Sequence, residues 1–408
     1  MLAHIQKALL FVLLTGWSVI ATASDTIKIG MSLPLSGAAV ETGIEVYRGS
    51  QAYFTHINEQ GGIHGRKIYL HAKDDRYEPL PAIKNAIHFI EDLNINILFG
   101  FVGTPTVLRM MPILKRYESR QVALMFPFTG AQSIRRAPYE PFVFNLRASY
   151  KAEIISMLSH FSHLGMTRVG LFYQSDAYGR SGWEGVESMA NLGTIEIVKE
   201  STYQRNSPYE ESYEVQAKYL KDAQPDVILI VGAYNAAAGF IRDARNIGLD
   251  VPIANISFVG TESLLNKLNE EENKSGKSYT HKLVISQVVP DYNHPDNPTA
   301  QEYRAIMDQY GTQLASHFST TNGEKYSYVS FESFLNAKML VELMNQLPKD
   351  FKQEDLVNHL NSGATVDLKI GGAVSFSKNE HQGFEQIYFT TIQNNKLVPL
   401  EDWKQLQL

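Results

Sequence analysis

Two patterns of hydrophobic positions alternate along this chain. Short blocks of Ile, Val, Leu and Phe carry apolar side chains on both parities, as strands covered on both faces must. Between them, apolar residues return every three or four positions, which is one stripe of a helix. The pattern predicts strands at 27–33, 67–72, 95–99, 122–126, 168–173, 194–199, 227–231, 252–256 and 283–287. Helices fill most intervals, so the chain reads as α/β, parallel and doubly wound. The front is the most legible part: a strand, a Ser36-Gly37 turn, an amphipathic helix ending near Gly61-Gly62, a second strand, then Asp74-Asp75. A similar opening comes later, where a strand is followed by Ser175, Tyr178-Gly179 and a helix. These are two similar open sheets. Residues 142–150 offer a first crossover between them, and a polar insertion at 269–278 precedes the return.

The first residues change the picture of where the chain works. Lys7 precedes an apolar stretch, 8–20, followed by Ala21-Thr22-Ala23. That is the pattern of a cleavable secretory signal covering 1–23, which places the mature chain in a periplasm-like space. There is no cysteine to take a lipid or form a disulfide. Loss of Lys7 with the signal takes the net charge from -6 to -7. A mildly acidic chain without a basic run has no electrostatic footprint for nucleic acid or anionic membrane. The best later apolar run, 226–241, is broken by Gly232, Tyr234 and Asn235 and reads as a strand followed by a helix. The remaining length, about 385 residues, suggests two lobes.

Candidate chemistry lies in the loops after strands, because ligands of open parallel sheets rest there against helix N-termini. In Gly100-Phe101-Val102-Gly103-Thr104-Pro105, Thr104 suits the N-cap and Pro105 the first helical position, and a carboxylate or amide oxygen could rest there. An ordinary capped helix gives the same pattern. In the loop 126–130, Phe128 offers an apolar wall, Thr129 a donor, and Gly130 close approach of backbone; an ordinary turn with a half-buried Phe is the competing reading. Asp176, Tyr178 and Tyr234 follow strands of the second half, and tyrosine combines an apolar face with a polar tip.

Signals for catalysis are weak. Gly276-Lys277-Ser278 lacks the first glycine of a phosphate loop, since Glu271 stands in its place. His160 and His163 share a helical face near a helix end, where they complement the dipole rather than form a metal site. Asp74 and Asp75 are adjacent at a strand end and point to opposite faces, so they are no acid–base pair; one of them supports the loop. No cofactor is called for.

The ordered set Ile27-Lys28-Ile29-Gly30, Ser36-Gly37, Gly43, Asn58, Gly61-Gly62-Ile63, Gly65, Asp74-Asp75, Tyr178-Gly179, Arg242, Ala244 and Gly248 resembles the type I periplasmic binding proteins of branched-chain amino acid importers. The late Phe376-Ser377 and His381-Gln382-Gly383 fit as well, so the resemblance covers nearly the whole mature chain. It implies two doubly wound parallel-sheet lobes joined by a three-stranded hinge. Lobe 1 would comprise 24–146 plus about 288–383, and lobe 2 would comprise 147–287 plus about 384–408, with the cleft between them.

The resemblance further implies a ligand carboxylate held by Thr104, Phe128 and Gly130, with Tyr178 and Tyr234 closing over it and Thr42 facing its side chain. One departure stands out. Where amino-acid binders place an acid for the ammonium, the matching segment Ser257-Phe258-Val259-Gly260 offers Phe258, with Glu262 close by. Burying an unpaired ammonium is costly, so a ligand without a free amine is in play. The expected function is capture of a small amino acid, amide or carboxylate and delivery, by a monomer, to the membrane permease of an ATP-driven importer. The alternatives are a periplasmic sensor that reports to a membrane kinase, cyclase or chemoreceptor, and an enzyme on the same scaffold. The last lacks an acid, base or nucleophile constellation.

Overall fold

The computed structural model describes residues 26–311 and 324–407. The expected signal peptide, 1–23, lies outside them. The first sheet is built from β1 (Ile27–Leu33), β2 (Ile68–Asp74), β3 (Ile97–Phe99), β4 (Ala123–Met125) and β5 (Val143–Phe144), in the order β2-β1-β3-β4-β5 and parallel throughout. Helices α1 (Val40–Glu59), α2 (Pro79–Ile87) and α3 (Thr104–Arg116) return the chain between strands. Residues 145–149 then cross to a second unit, which starts with α4 (Tyr150–His163).

In that unit, β6 (Arg168–Gln174), β7 (Glu196–Tyr203), β8 (Val227–Val231), β9 (Ile253–Asn255) and β10 (Leu283–Gln287) alternate with α5 (Ala177–Asn191), α6 (Glu214–Lys221), α7 (Tyr234–Asn246) and α8 (Thr261–Ser275). The chain crosses back after β10 and forms α9 (Pro298–Ile306), α10 (Tyr328–Asn345), α11 (Gln353–Asn361) and a hairpin, β11 (Thr365–Asp367) with β12 (Ala373–Ser375). A third crossing adds β13 (Tyr388–Gln393) and β14 (Lys396–Pro399) to the second sheet, in the order β14-β13-β10-β9-β8-β6-β7. The architecture is the expected α/β one: two doubly wound lobes and three connections.

Two departures have local causes. β13 and β14 are antiparallel, joined by Asn394 and Asn395 at φ 51° and 58°; a two-residue loop with both φ positive matches strand twist, and asparagine tolerates it. The polar segment 269–278 is mostly helix. Leu264, Leu265 and Leu268 anchor the start of α8 in the core, its polar end runs into solvent, and Gly276 at φ 70° stops it.

The return segment is fastened to lobe 1. α10 lies against α1 so closely that a Cβ on Gly49 would stand 2.0 Å from the Ser330 carbonyl oxygen. Around that approach, Ser327 Oγ donates to Glu45 Oε2 at 2.5 Å, Arg48 reaches Glu45 at 2.9 Å, and Tyr303 Oη pairs with Ser330 Oγ at 2.7 Å. The crossings are also joined. Asn145 N donates to the His381 carbonyl at 2.8 Å and Gly383 N to the Asn145 carbonyl at 2.8 Å, so the first and third connections run as a parallel pair. Gly49→Ala should therefore separate α1 from α10 and lower unfolding free energy by about 2 kcal/mol, read from urea melts; an unchanged midpoint would refute the close approach.

Candidate functional site

The strand ends of the two sheets face each other beside the crossovers, and local chemistry fixes each loop there. Asp74 accepts hydrogen bonds from Leu35 N at 2.8 Å, Arg76 N at 2.9 Å and Ser36 Oγ at 2.5 Å. Asp75 accepts from Ser32 Oγ at 2.7 Å and Tyr77 N at 2.9 Å, and burial pushes its carboxyl up to about 7. Both acids support the loop, where one was expected. They hold Arg76 and Tyr77 at positive φ, which sends the Tyr77 ring into the space between the lobes.

The loops after β3 and β4 are joined by Phe128 N to the Phe101 carbonyl at 2.9 Å and by Gly103 N to the Phe128 carbonyl at 3.1 Å. Gly103, at φ 97°, takes the N-cap, so Thr104 is the first helical residue, one place later than expected. That frees the Thr104 hydroxyl from capping its own helix: it pairs with Thr129 Oγ1 at 2.7 Å. Gly130 accepts from Tyr150 N at 2.8 Å, and a Cβ there would lie 2.6 Å from that nitrogen and 2.4 Å from the tyrosine ring. Its missing side chain lets Tyr150 come across beside both threonines.

From lobe 2, Asp176 caps α5 through Tyr178 N at 2.9 Å. The Tyr178 ring then stands 5.3 Å from Tyr150 and 4.6 Å from Phe258. Phe258 projects from the turn after β9 into the middle of the group, 5.6 Å from Phe128, 6.1 Å from Tyr77 and 6.3 Å from Tyr150. Burial raises the Tyr77 and Tyr178 hydroxyls well above the usual phenol range and keeps them neutral.

Of the residues singled out in the sequence, Thr104, Phe128, Gly130, Tyr178 and Phe258 thus converge. Thr42 and Tyr234 lie at the edge. Thr42 Oγ1 faces Gly260, 3.6 Å from where a Cβ would be, and Tyr234 is packed in the lobe 2 core with its hydroxyl beside Glu41 of α1. Glu262 is buried, with Oε1 accepting from Tyr328 N at 3.0 Å and Oε2 without a hydrogen bond.

Sequence reasoning missed Arg147. It sits on the first crossover, 1% exposed, with its guanidinium carbon 4.7 Å from the Phe128 ring centre. Nη2 bonds Ser257 Oγ and lies 3.7 Å from Glu153 Oε1, while Nε lies 3.6 Å from Glu332 Oε1. The two acids come from α4 and α10, hence from both lobes. Burial pushes Glu332 up to about 7 against the pull of Arg147. The one signal in the sequence was an arginine set in the apolar run Phe142-Val143-Phe144-Asn145-Leu146.

Residues 26–396 match the family model described as "Periplasmic binding protein". The chain belongs to that family. A Brucella abortus protein named "Leu/Ile/Val-binding protein homolog 8" is 23% identical over 93% of this chain and 92% of its own length. A possible leucine/isoleucine/valine-binding protein from Rhodopirellula baltica superposes with a TM-score of 0.82 at 25% identity, over 96% of this chain and all of its own. A branched-chain amino acid transporter protein from Thermus thermophilus, solved with valine, gives 0.80 at 15% identity over 93% of this chain and 96% of its own. Its relatives are solute-binding proteins of the branched-chain amino acid transporter type, and the family is periplasmic.

In this periplasmic binding protein the lobes are closed on one another. Arg205, from the loop after β7, reaches Glu78 of lobe 1 at 2.8 Å and Asp176 of its own lobe at 3.1 Å. Asn206 Nδ2 donates to Glu78 Oε1 at 2.9 Å, and Asn235 Nδ2 to the Ala38 carbonyl at 2.7 Å. The cavity beside these contacts, lined by Tyr77, Gln174, Tyr203 and Asn235 among others, holds about 10 Å³. Among the described residues no acid or histidine cluster could hold a metal ion.

Arg205 is partly exposed, so its bridge is worth about 1 kcal/mol at most. Arg205→Ala should shift the molecule toward an open form, seen as a larger radius of gyration in small-angle scattering, and weaken ligand binding about two- to fivefold. An unchanged radius and affinity would deny the bridge a role in closure. Burial also pushes Glu262 up to about 8, so the native carboxyl holds a proton that its unfolded counterpart, near 4.5, releases. The native state therefore binds more protons across that window, and stability is lost as pH rises from about 4.5 toward 8. Melting temperature should fall over this range, and Glu262→Gln should flatten the fall; equal slopes in both proteins would contradict the assignment.

Proposed function

We propose that this chain captures a small amino acid, amide or carboxylate in the cleft between its lobes and delivers it to an ATP-driven membrane importer. The observation that carries the reading is the convergence of Thr104, Thr129 and Phe128 from one lobe with Tyr150, Tyr178 and Phe258 from the other. Hydroxyls beside the N-terminus of α3 suit an anionic or carbonyl oxygen, and the rings suit an apolar body. Ligand contacts made on both lobes favour the closed state by their differential affinity, and no covalent step is required. The branched-chain ligands named for its relatives support a solute of that size. In this reading the periplasm is where the chain works, as a monomer, and a permease receives the loaded form.

A thermal-shift screen against amino acids, amides and carboxylates tests it. A ligand at about a hundredfold over its dissociation constant should add roughly 2.7 kcal/mol. Thr104→Ala and Tyr234→Ala should each weaken that ligand with little change in the unliganded melt. Given its place at the edge, Tyr234 should cost less than Thr104, and normal binding by both variants would move the site elsewhere.

A further inference from the structure

Resting on the solute-binding reading, we propose that the cleft selects a small monocarboxylate with an apolar or aromatic body and no ammonium group, its charged oxygen paired with Nη1 of Arg147. The guanidinium is almost completely buried, and Nη1 has no hydrogen-bond partner. Of its other nitrogens, Nη2 bonds Ser257 Oγ and faces Glu153, while Nε faces Glu332 at 3.6 Å, an ion pair without a hydrogen bond. A buried donor left in that condition costs about 1–3 kcal/mol, more when charged, and an anion arriving at it removes the cost. Arg147 lies against the faces of Phe128 and Tyr150, so the free nitrogen belongs to the same space as the aromatic group. The Tyr150 hydroxyl makes no hydrogen bond of regular geometry, although the threonine hydroxyls stand beside it. It is a second donor for the same oxygen pair.

The carboxylates nearby are poorly placed to pair with an ammonium. Asp176 is taken by Arg205, Gln174 and Tyr178 N. Glu262 gives Oε1 to Tyr328 N and keeps Oε2 without a hydrogen bond, but burial pushes this carboxyl up to about 8, so at neutral pH it holds a proton rather than the charge an ammonium needs. Glu153 Oε2 accepts from Ser257 N at 2.8 Å and Ser286 Oγ at 2.6 Å. Glu153 Oε1 and Glu332 Oε1, neither hydrogen-bonded, face Arg147 at 3.7 and 3.6 Å. The buried Arg147 faces two acids, Glu153 and Glu332, and burial pushes Glu332 up to about 7. The ring of Phe258, enclosed by Tyr77, Phe128, Tyr150 and Tyr178, marks the room that the ligand body takes when the lobes part and this side chain swings out on the left-handed Gly260.

Calorimetry on the mature protein tests the proposal with phenylacetate and 4-methyl-2-oxopentanoate, each against its neutral or zwitterionic counterpart: phenylacetamide, phenylglycine and leucine. At least one acid should bind, about tenfold or more tighter than its counterparts. Arg147→Lys should keep part of the preference for acid over amide, and Arg147→Met should abolish it; the lysine variant and the wild-type comparison stand if the methionine variant does not fold. Amino acids binding as tightly as the acids, or neither acid binding, would overturn the proposal. Mass spectrometry of what the purified protein releases on denaturation separates the two levels: an amino acid sinks this inference and leaves solute binding intact, whereas failure of every solute class sinks both.

Discussion

A guanidinium buried where two lobes meet has to be answered by charge from both, and Arg147 is answered in that way. Glu153 comes from the first helix of lobe 2 and Glu332 from the helix that the chain adds to lobe 1 on its return. Removing one partner of such a pair strands the other in a medium that solvates it poorly, at a cost of about 3–5 kcal/mol. The connection, the start of α4 and the start of α10 are thereby held in one arrangement. The positions of Tyr150 and Phe128 follow, since both rings lie against the same guanidinium.

Around that fixed point the seam is built in layers of different strength. Nearest the hinge are rings and hydroxyls with almost no exposure, where contact is lost completely when the lobes part. At the outer edge are Arg205, Asn206 and Asn235, reaching across to Glu78 and Ala38. The outer bonds exchange readily with water and cost little to break. Closure is therefore governed by what fills the inner layer, while the rim adjusts the balance by small amounts.

The sheets were readable because both-parity apolar blocks leave few other options, and the β-α-β opening at 27–74 was readable because its turn glycines are placed so regularly. The antiparallel edge was not, although Asn394-Asn395 carried the signal of a tight hairpin, because the parallel pattern before it dominated. In the site, strand-end loops led to Thr104, Phe128, Gly130 and Tyr178. They also pointed to Tyr234, which lies just past β8 with its ring packed in the lobe 2 core. Arg147, Glu153 and Glu332 are 6 and 185 positions apart along the chain, and no periodicity joins them. Only tertiary closure does. Phe258 was noticed for the acid it replaces, yet its part as the centre of an aromatic group depends on four residues that no local window contains.

The hydrogen bonds between the first and third connections, at Asn145 with His381 and Gly383, give the molecule a leaf spring rather than a set of loose cords. A two-stranded ribbon flexes across its face and resists slippage of one edge past the other. Sliding of the first connection along the third would break these bonds, whereas bending across the ribbon would keep them, so the pairing restricts the ways in which one lobe can move against the other.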